Sequence, residues 1–137
     1  MNHEDLSYPI RPSDAARLVA YWAPPIVYAG VIFLLSALPH PEEKLPSFLG
    51  GISDKVLHLV EYGILGLLCY RAFRRAAGEW GARHALWLAI ITSAGYGLSD
   101  ELHQLFVPPR EADLWDLAAD AAGAALATVG WRRITEG

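Results

Sequence analysis

The chain has 137 residues and a mass of 15.0 kDa, the length of one domain or one compact bundle. It is 53% hydrophobic and only 19% charged, with a mean hydropathy of +0.23, against a charged share of roughly 25% in soluble domains. A net charge of −4 excludes a globally basic nucleic-acid binder, and the single cysteine, Cys69, excludes a disulfide framework or a cysteine-built zinc site within one chain.

Four apolar blocks follow one another, each too long and too little alternating to be a strand. Residues 18–38 carry no charge, and a bilayer span needs about 20 apolar residues. Pro24 and Pro25 either kink one long helix or sit in the first turn of a helix that begins there. We favour a spanning helix with a short amphipathic lead-in over residues 15–22. A cleaved signal peptide fits less well, because the stretch exceeds the usual hydrophobic region of about 7–15 residues. The second block, 56–73, is apolar except for His58, Glu61 and tyrosines. The third, 85–98, has no charge and extends towards Gln104. The fourth, 114–131, is rich in alanine and glycine, which let helix backbones approach closely in lipid.

The expected fold is therefore all-α, an integral membrane bundle of four transmembrane helices. Eight of the eleven basic residues fall in the N-terminal segment, the second connection and the tail, and only Lys44, Lys55 and Arg110 fall in the other two connections. By the positive-inside rule both termini are cytoplasmic in a multi-pass protein of the inner (plasma) membrane. The domains read as a cytoplasmic segment 1–17, a membrane domain 18–131 and a cytoplasmic tail 132–137. Tyr21, Trp22, Trp80, Trp87, Trp115 and Trp131 fall near expected span ends, where aromatic belts form. Cys69 reads as a packing residue.

That topology gathers the polar residues at the outward end. Asp54, His58 and Glu61 share a helical face through i, i+4, i+7 spacing, with Tyr62 beside them. Asp100, His103 and Gln104 share another, and Glu101 shares one with Gln104. Asp113, Asp116 and Asp120 form a stripe that enters the fourth block. Ionisable groups at membrane depth pair, line cavities or mark functional sites. The plain alternative for Asp54, Asp100, Glu111 and Asp113 is a wetted helix end, with Asp54 and Asp113 as N-caps. For Glu61 and Asp120 it is a buried salt bridge, such as Arg110 with Glu101 or Asp120.

Two chemistries suit the cluster. Carboxylates with histidine offer ligands for a divalent metal, with Asp54, His58, Glu101, Asp116 and Asp120 as candidates. Alternatively His58 or Glu61 serves as general acid or base while Arg110 clamps an anionic group. No His-Glu-x-x-His, phosphate loop or Gly-x-Ser-x-Gly is present.

The combination Asp54-Lys55-x-x-His58-x-x-x-Tyr62-x-x-Leu65-Gly66, Asp100-Glu101-x-x-Gln104-x-Phe106-x-Pro108-x-Arg110 and Asp116-x-x-x-Asp120-x-x-Gly123 resembles the VanZ-like family over roughly residues 20–131. These are small bacterial membrane proteins named after a teicoplanin-resistance protein. The resemblance marks Asp54, Lys55, His58, Tyr62, Glu101, Gln104, Arg110 and Asp116 as the site. We assign His58, Glu101 and Asp116 as catalytic candidates, and Lys55, Tyr62, Gln104 and Arg110 as ligand contacts. Two positions depart from the family pattern, which usually has asparagine at Asp120 and glycine at Pro109. What the resemblance implies is an envelope protein linked to lower susceptibility to teicoplanin-type lipoglycopeptides.

Two functional readings stay open. One is a membrane factor whose outward pocket binds an anionic lipid, a lipid-linked cell-wall precursor headgroup or a glycopeptide. The other is a hydrolase or transferase acting on a phospholipid or polyprenyl-phosphate. A transporter is disfavoured, because the polar residues crowd one side of the bilayer instead of crossing it.

Overall fold

A computed structural model describes residues 12–39, 43, 46–49 and 52–137. Within them the protein is all-helical. Helix α1 spans Pro12–Ser36, α2 Asp54–Ala76, α3 Gly78–Gln104 and α4 Leu114–Glu136, and a 3-10 turn, Ser47–Leu49, lies between α1 and α2. Residues 12–17 of the expected N-terminal segment belong to α1, and residues 132–136 of the expected tail belong to α4. The lead-in is part of α1, and α4 continues through Glu136. Residues 1–11 of the expected segment lie outside the described residues.

Pro24 and Pro25 sit inside α1. Each lacks an N–H, so the carbonyls of Ala20 and Tyr21 lose their partners one turn back. Only Ala77 separates α2 from α3, and Gly78 turns the chain with φ of 68°, a left-handed conformation that strains any residue with a side chain. The two helices therefore run antiparallel with almost no connection.

α2 is the central helix, packed against α1, α3 and α4, whereas α1 leans mainly on α2 and only marginally on α3. The α2–α4 seam is built from small residues. A Cβ added to Gly66 would lie 3.0 Å from the Ala124 Cα, and one added to Gly123 would overlap the Leu59 carbonyl. The alanine and glycine stretch of α4 thus serves close packing, with Ala124 fully buried. The apolar core comprises Ile32, Tyr62, Leu65, Cys69, Tyr70, Ala85 and Ala89. At the far end Trp22 meets Phe73 edge-on at 5.1 Å, Arg71 lies 4.8 Å over the Tyr21 ring, and Arg17 donates to the Arg75 carbonyl.

Much of the outer surface of the helices is apolar. Val27, Leu34, Ile64, Trp87, Ile91 and Leu126 are all exposed on the flanks of the helices. Trp80, Trp115 and Trp131 also stand outside the core. Contiguous exposed apolar surface on this scale marks a partner or a membrane. Two helices, α1 and α2, are long and apolar enough to cross a bilayer. α3 and α4 do not meet that measure among the described residues, because both carry several charged residues towards their ends.

Candidate functional site

The polar residues picked out in the sequence converge where the first turns of α2 and α4 meet the last turns of α3. Asp113 caps α4, its carboxylate accepting from the Trp115 N–H at 2.8 Å. Its own N–H donates to Glu101 Oε2 at 2.8 Å, which ties the loop to α3. The turn before it survives the double proline, since the Arg110 N–H donates to the Val107 carbonyl at 2.7 Å. Asp54 does not cap α2: Ser53 holds that position without a side-chain bond, and Asp54 is exposed.

α4 offers its carboxylates to two cations on α2. Lys55 Nζ contacts Asp113 Oδ2 at 2.5 Å and also Asp116 Oδ1. His58 Nδ1 lies 2.8 Å from Asp120 Oδ1, and its Nε2 lies 3.9 Å from Asp116 Oδ2. The pairing is buried at His58 and Asp120, whereas the Lys55 and Asp113 side chains are 42% and 40% exposed. It uses Lys55 and His58, however, and not Arg110, which makes no ion pair with Glu101 or Asp120. The hydrogen bond and charge of Lys55, with the Trp115 N–H, hold the Asp113 carboxyl below its ordinary range.

The satisfaction of the cluster is incomplete. Asp100 Oδ1, Glu101 Oε1, Asp120 Oδ2 and the Tyr62 hydroxyl are buried without a hydrogen-bond partner. Glu101 is 4% exposed and Asp120 not at all. Asp120 fits because Gly97 leaves room, since a Cβ there would come within 2.6 Å of Asp120 Oδ2. Asp100, expected at a wetted helix end, is instead buried at 5% exposure, whereas Glu111 is exposed as expected.

Beside this network a cleft of about 280 Å³ opens between α1 and α2, with α3 at its back. Its apolar wall includes Tyr28, Ile32, Leu35, Val60 and Ile64, and its polar part includes Asp54, His58, Glu61, Asp100, Gln104 and Arg110. Of the four expected ligand contacts, Gln104 and Arg110 line the cleft. Lys55 is occupied by α4, and Tyr62 is fully buried with its ring stacked parallel to His58 at 6.3 Å. Of the catalytic candidates His58 lines the cleft, while Glu101 and Asp116 stand behind it.

Sequence reasoning missed what α1 contributes. Ser36 is buried and accepts a hydrogen bond from Gln104 Nε2 at 3.3 Å. Tyr96 donates to the Ala29 carbonyl at 2.6 Å, fixing the α1 side of the cleft. A lone hydroxyl ending a long apolar run was the available signal for Ser36. Nothing in the local pattern pointed to Tyr96.

Two donor sets among the described residues could hold a cation. One ligand atom each from His58, Glu101 and Asp120 lie within 4.8 Å of one another, and so do those of Asp54, His58 and Asp116. A family model described as VanZ/LLP1 matches residues 25–135 of the chain. No curated protein and no solved structure matches it.

Proposed function

The chain belongs to the VanZ/LLP1 family, and from that premise we propose that it is an envelope membrane protein whose cleft receives the headgroup of an anionic lipid or lipid-linked cell-wall precursor. One observation carries the reading. The cleft joins an apolar wall on α1 and α2 to a polar end with Arg110, Gln104 and His58, the two-part surface that an amphiphile needs. In this proposal all four helices span, over residues 18–131, with both termini cytoplasmic and the cleft facing outward. The exposed apolar flanks of α3 and α4 support this, since the polar residues of those helices are largely turned inward or sit at their ends. Bacterial origin and a lowered susceptibility to teicoplanin-type lipoglycopeptides belong to the same proposal.

Lipid binding by the purified protein tests it directly. Wild type should prefer phosphatidylglycerol to phosphatidylcholine in nanodiscs or mixed micelles. Arg110→Ala should weaken the anionic lipid by about tenfold, a loss of about 1.4 kcal/mol. Equal affinity for both lipids would refute the reading. Expression of wild type and Arg110→Ala in a susceptible bacterium, with teicoplanin inhibition as the readout, tests the resistance component.

The buried, unpartnered oxygens of Glu101 and Asp120 favour a second reading, an enzyme acting on a phospholipid or polyprenyl-phosphate. Incubation of wild type and Glu101→Gln with a bacterial lipid extract, with and without EDTA, separates it from a binding factor. A product formed only by wild type establishes turnover, and no product from lipid-binding protein excludes it.

A further inference from the structure

We propose that His58, Glu101 and Asp120 bind one divalent transition-metal cation. Three observations converge on these side chains. They come from α2, α3 and α4, and one ligand atom of each lies within 4.8 Å of the others. Two donors bound to a single ion at about 2.1 Å are at most about 4.2 Å apart. Tetrahedral donors on one ion lie about 3.4 Å apart, so a pair at the 4.8 Å limit closes with a movement of roughly 0.7 Å from each side chain. All three residues are buried.

Partner accounting points the same way. Glu101 spends Oε2 on the Asp113 N–H and leaves Oε1 without a partner. Asp120 spends Oδ1 on His58 and leaves Oδ2 without one. An unsatisfied buried carboxylate oxygen is costly, and a metal ion is one of the few groups that compensates two at once. Charge balance adds to this. Asp100, Glu101, Asp116 and Asp120 are all buried around His58, and the nearby Lys55 already serves Asp113 and Asp116. A divalent cation restores the balance that His58 alone does not supply.

The alternative set of Asp54, His58 and Asp116 is weaker. Asp54 is exposed, and Asp116 is already held by Lys55. Two carboxylates and one imidazole suit Mn²⁺ or Zn²⁺ better than calcium, which prefers oxygen-only sites with more donors. The site stands whether or not the neighbouring cleft binds lipid, and the experiment uses no lipid for that reason. His58 belongs to both, so an ion here also places positive charge behind a cleft that carries three carboxylates of its own.

The test is Mn²⁺ binding by tag-free, full-length protein in a non-ionic detergent, followed by electron paramagnetic resonance, with Zn²⁺ as competitor. Wild type should hold about one Mn²⁺ per chain, displaced by Zn²⁺, with a nitrogen modulation from imidazole. Glu101→Gln and Asp120→Asn should each weaken binding at least tenfold. Glu136→Gln, at the opposite end, should bind as wild type does. Circular dichroism and size exclusion establish that each variant is folded. If a carboxylate variant does not fold, loss of the imidazole modulation in His58→Gln decides, since the chain has four other histidines. Absence of retained Mn²⁺ and Zn²⁺, a bound ion without imidazole nitrogen, or wild-type affinity in both carboxylate variants would overturn the site.

Discussion

Both ends of the bundle pair acids with bases, and burial treats the pairs differently. At one end Lys55 and His58 are set among the carboxylates of α3 and α4, with Asp116, Asp120 and Glu101 buried. At the other, Arg74 meets Glu136 at 3.0 Å with both side chains about a third or more exposed, and Tyr70 donates to the same carboxylate at 2.6 Å. Arg83 and Arg132 line a wide polar cavity of about 510 Å³ there. Water screens the arginine end, so its ion pairs are close to dispensable. Burial removes that screening from His58 and Asp120, whose side chains are 7% and 0% exposed, so a partner lost there leaves a stranded charge, while Lys55 and Asp113 remain as wetted as the arginine end. The sequence shows charge at both ends, and only packing reveals which end depends on it.

The sharpest way to break the contrast is Asp120→Ala. It strands His58, and unfolding in detergent followed by circular dichroism should show a loss of about 3–5 kcal/mol, typical of a broken buried pair. Next comes Gly123→Ala, which drives a methyl group into the Leu59 backbone. It should cost about 1–3 kcal/mol as overpacking and should loosen the α2–α4 seam that brings His58 to Asp120. A loss at Gly123 as small as that of a surface mutant would show that the seam yields. At the arginine end Glu136→Ala should cost less than about 1 kcal/mol in the same assay. A loss approaching that of Asp120→Ala would abolish the distinction between the two ends.

The smallest effect concerns pH. Lys55 keeps the Asp113 carboxyl below its ordinary value of 3.8. The stability from that pair is fully present above the ordinary value and is lost as pH falls through the lowered one. The unfolding midpoint of wild type should therefore decline more steeply between pH 4 and pH 2, about the acid range of carboxylates, than that of Asp113→Asn, which retains the cap but not the charge. Parallel declines would show that the pair adds nothing.

What was legible in the sequence follows from what each pattern encodes. The uncharged run 18–38 lies in α1 as far as Ser36, and the block 56–73 lies within α2, because hydropathy and length determine a helix of that kind. The start of α3 at Gly78 was not legible, since residues 78–84 mix glycine, charge and aromatics, and only the left-handed turn at Gly78 makes a helix begin there. Spacing placed Asp54, His58 and Glu61 on one face, but it contained no information on partners. The salt-bridge alternative paired Arg110 with Glu101 or Asp120, whereas Lys55 and His58 take the carboxylates of α4. That choice is set by the close approach of α2 and α4 at Gly66 and Gly123, a property of tertiary register. The burial of Asp100 was invisible for the same reason.

The modest attachment of α1 divides the protein into a frame and a sidewall. At the polar end α1 is held by the bond from Gln104 to Ser36, by that from Tyr96 to the Ala29 carbonyl and by the stacking of Phe33 on His103 at 4.6 Å. The charged network belongs to α2, α3 and α4, and the cleft exists only where α1 closes against them. Sliding or tilting this one helix would change the width of the cleft while leaving the network intact, so the size of an admitted ligand and the chemistry it meets are governed by different parts of the chain.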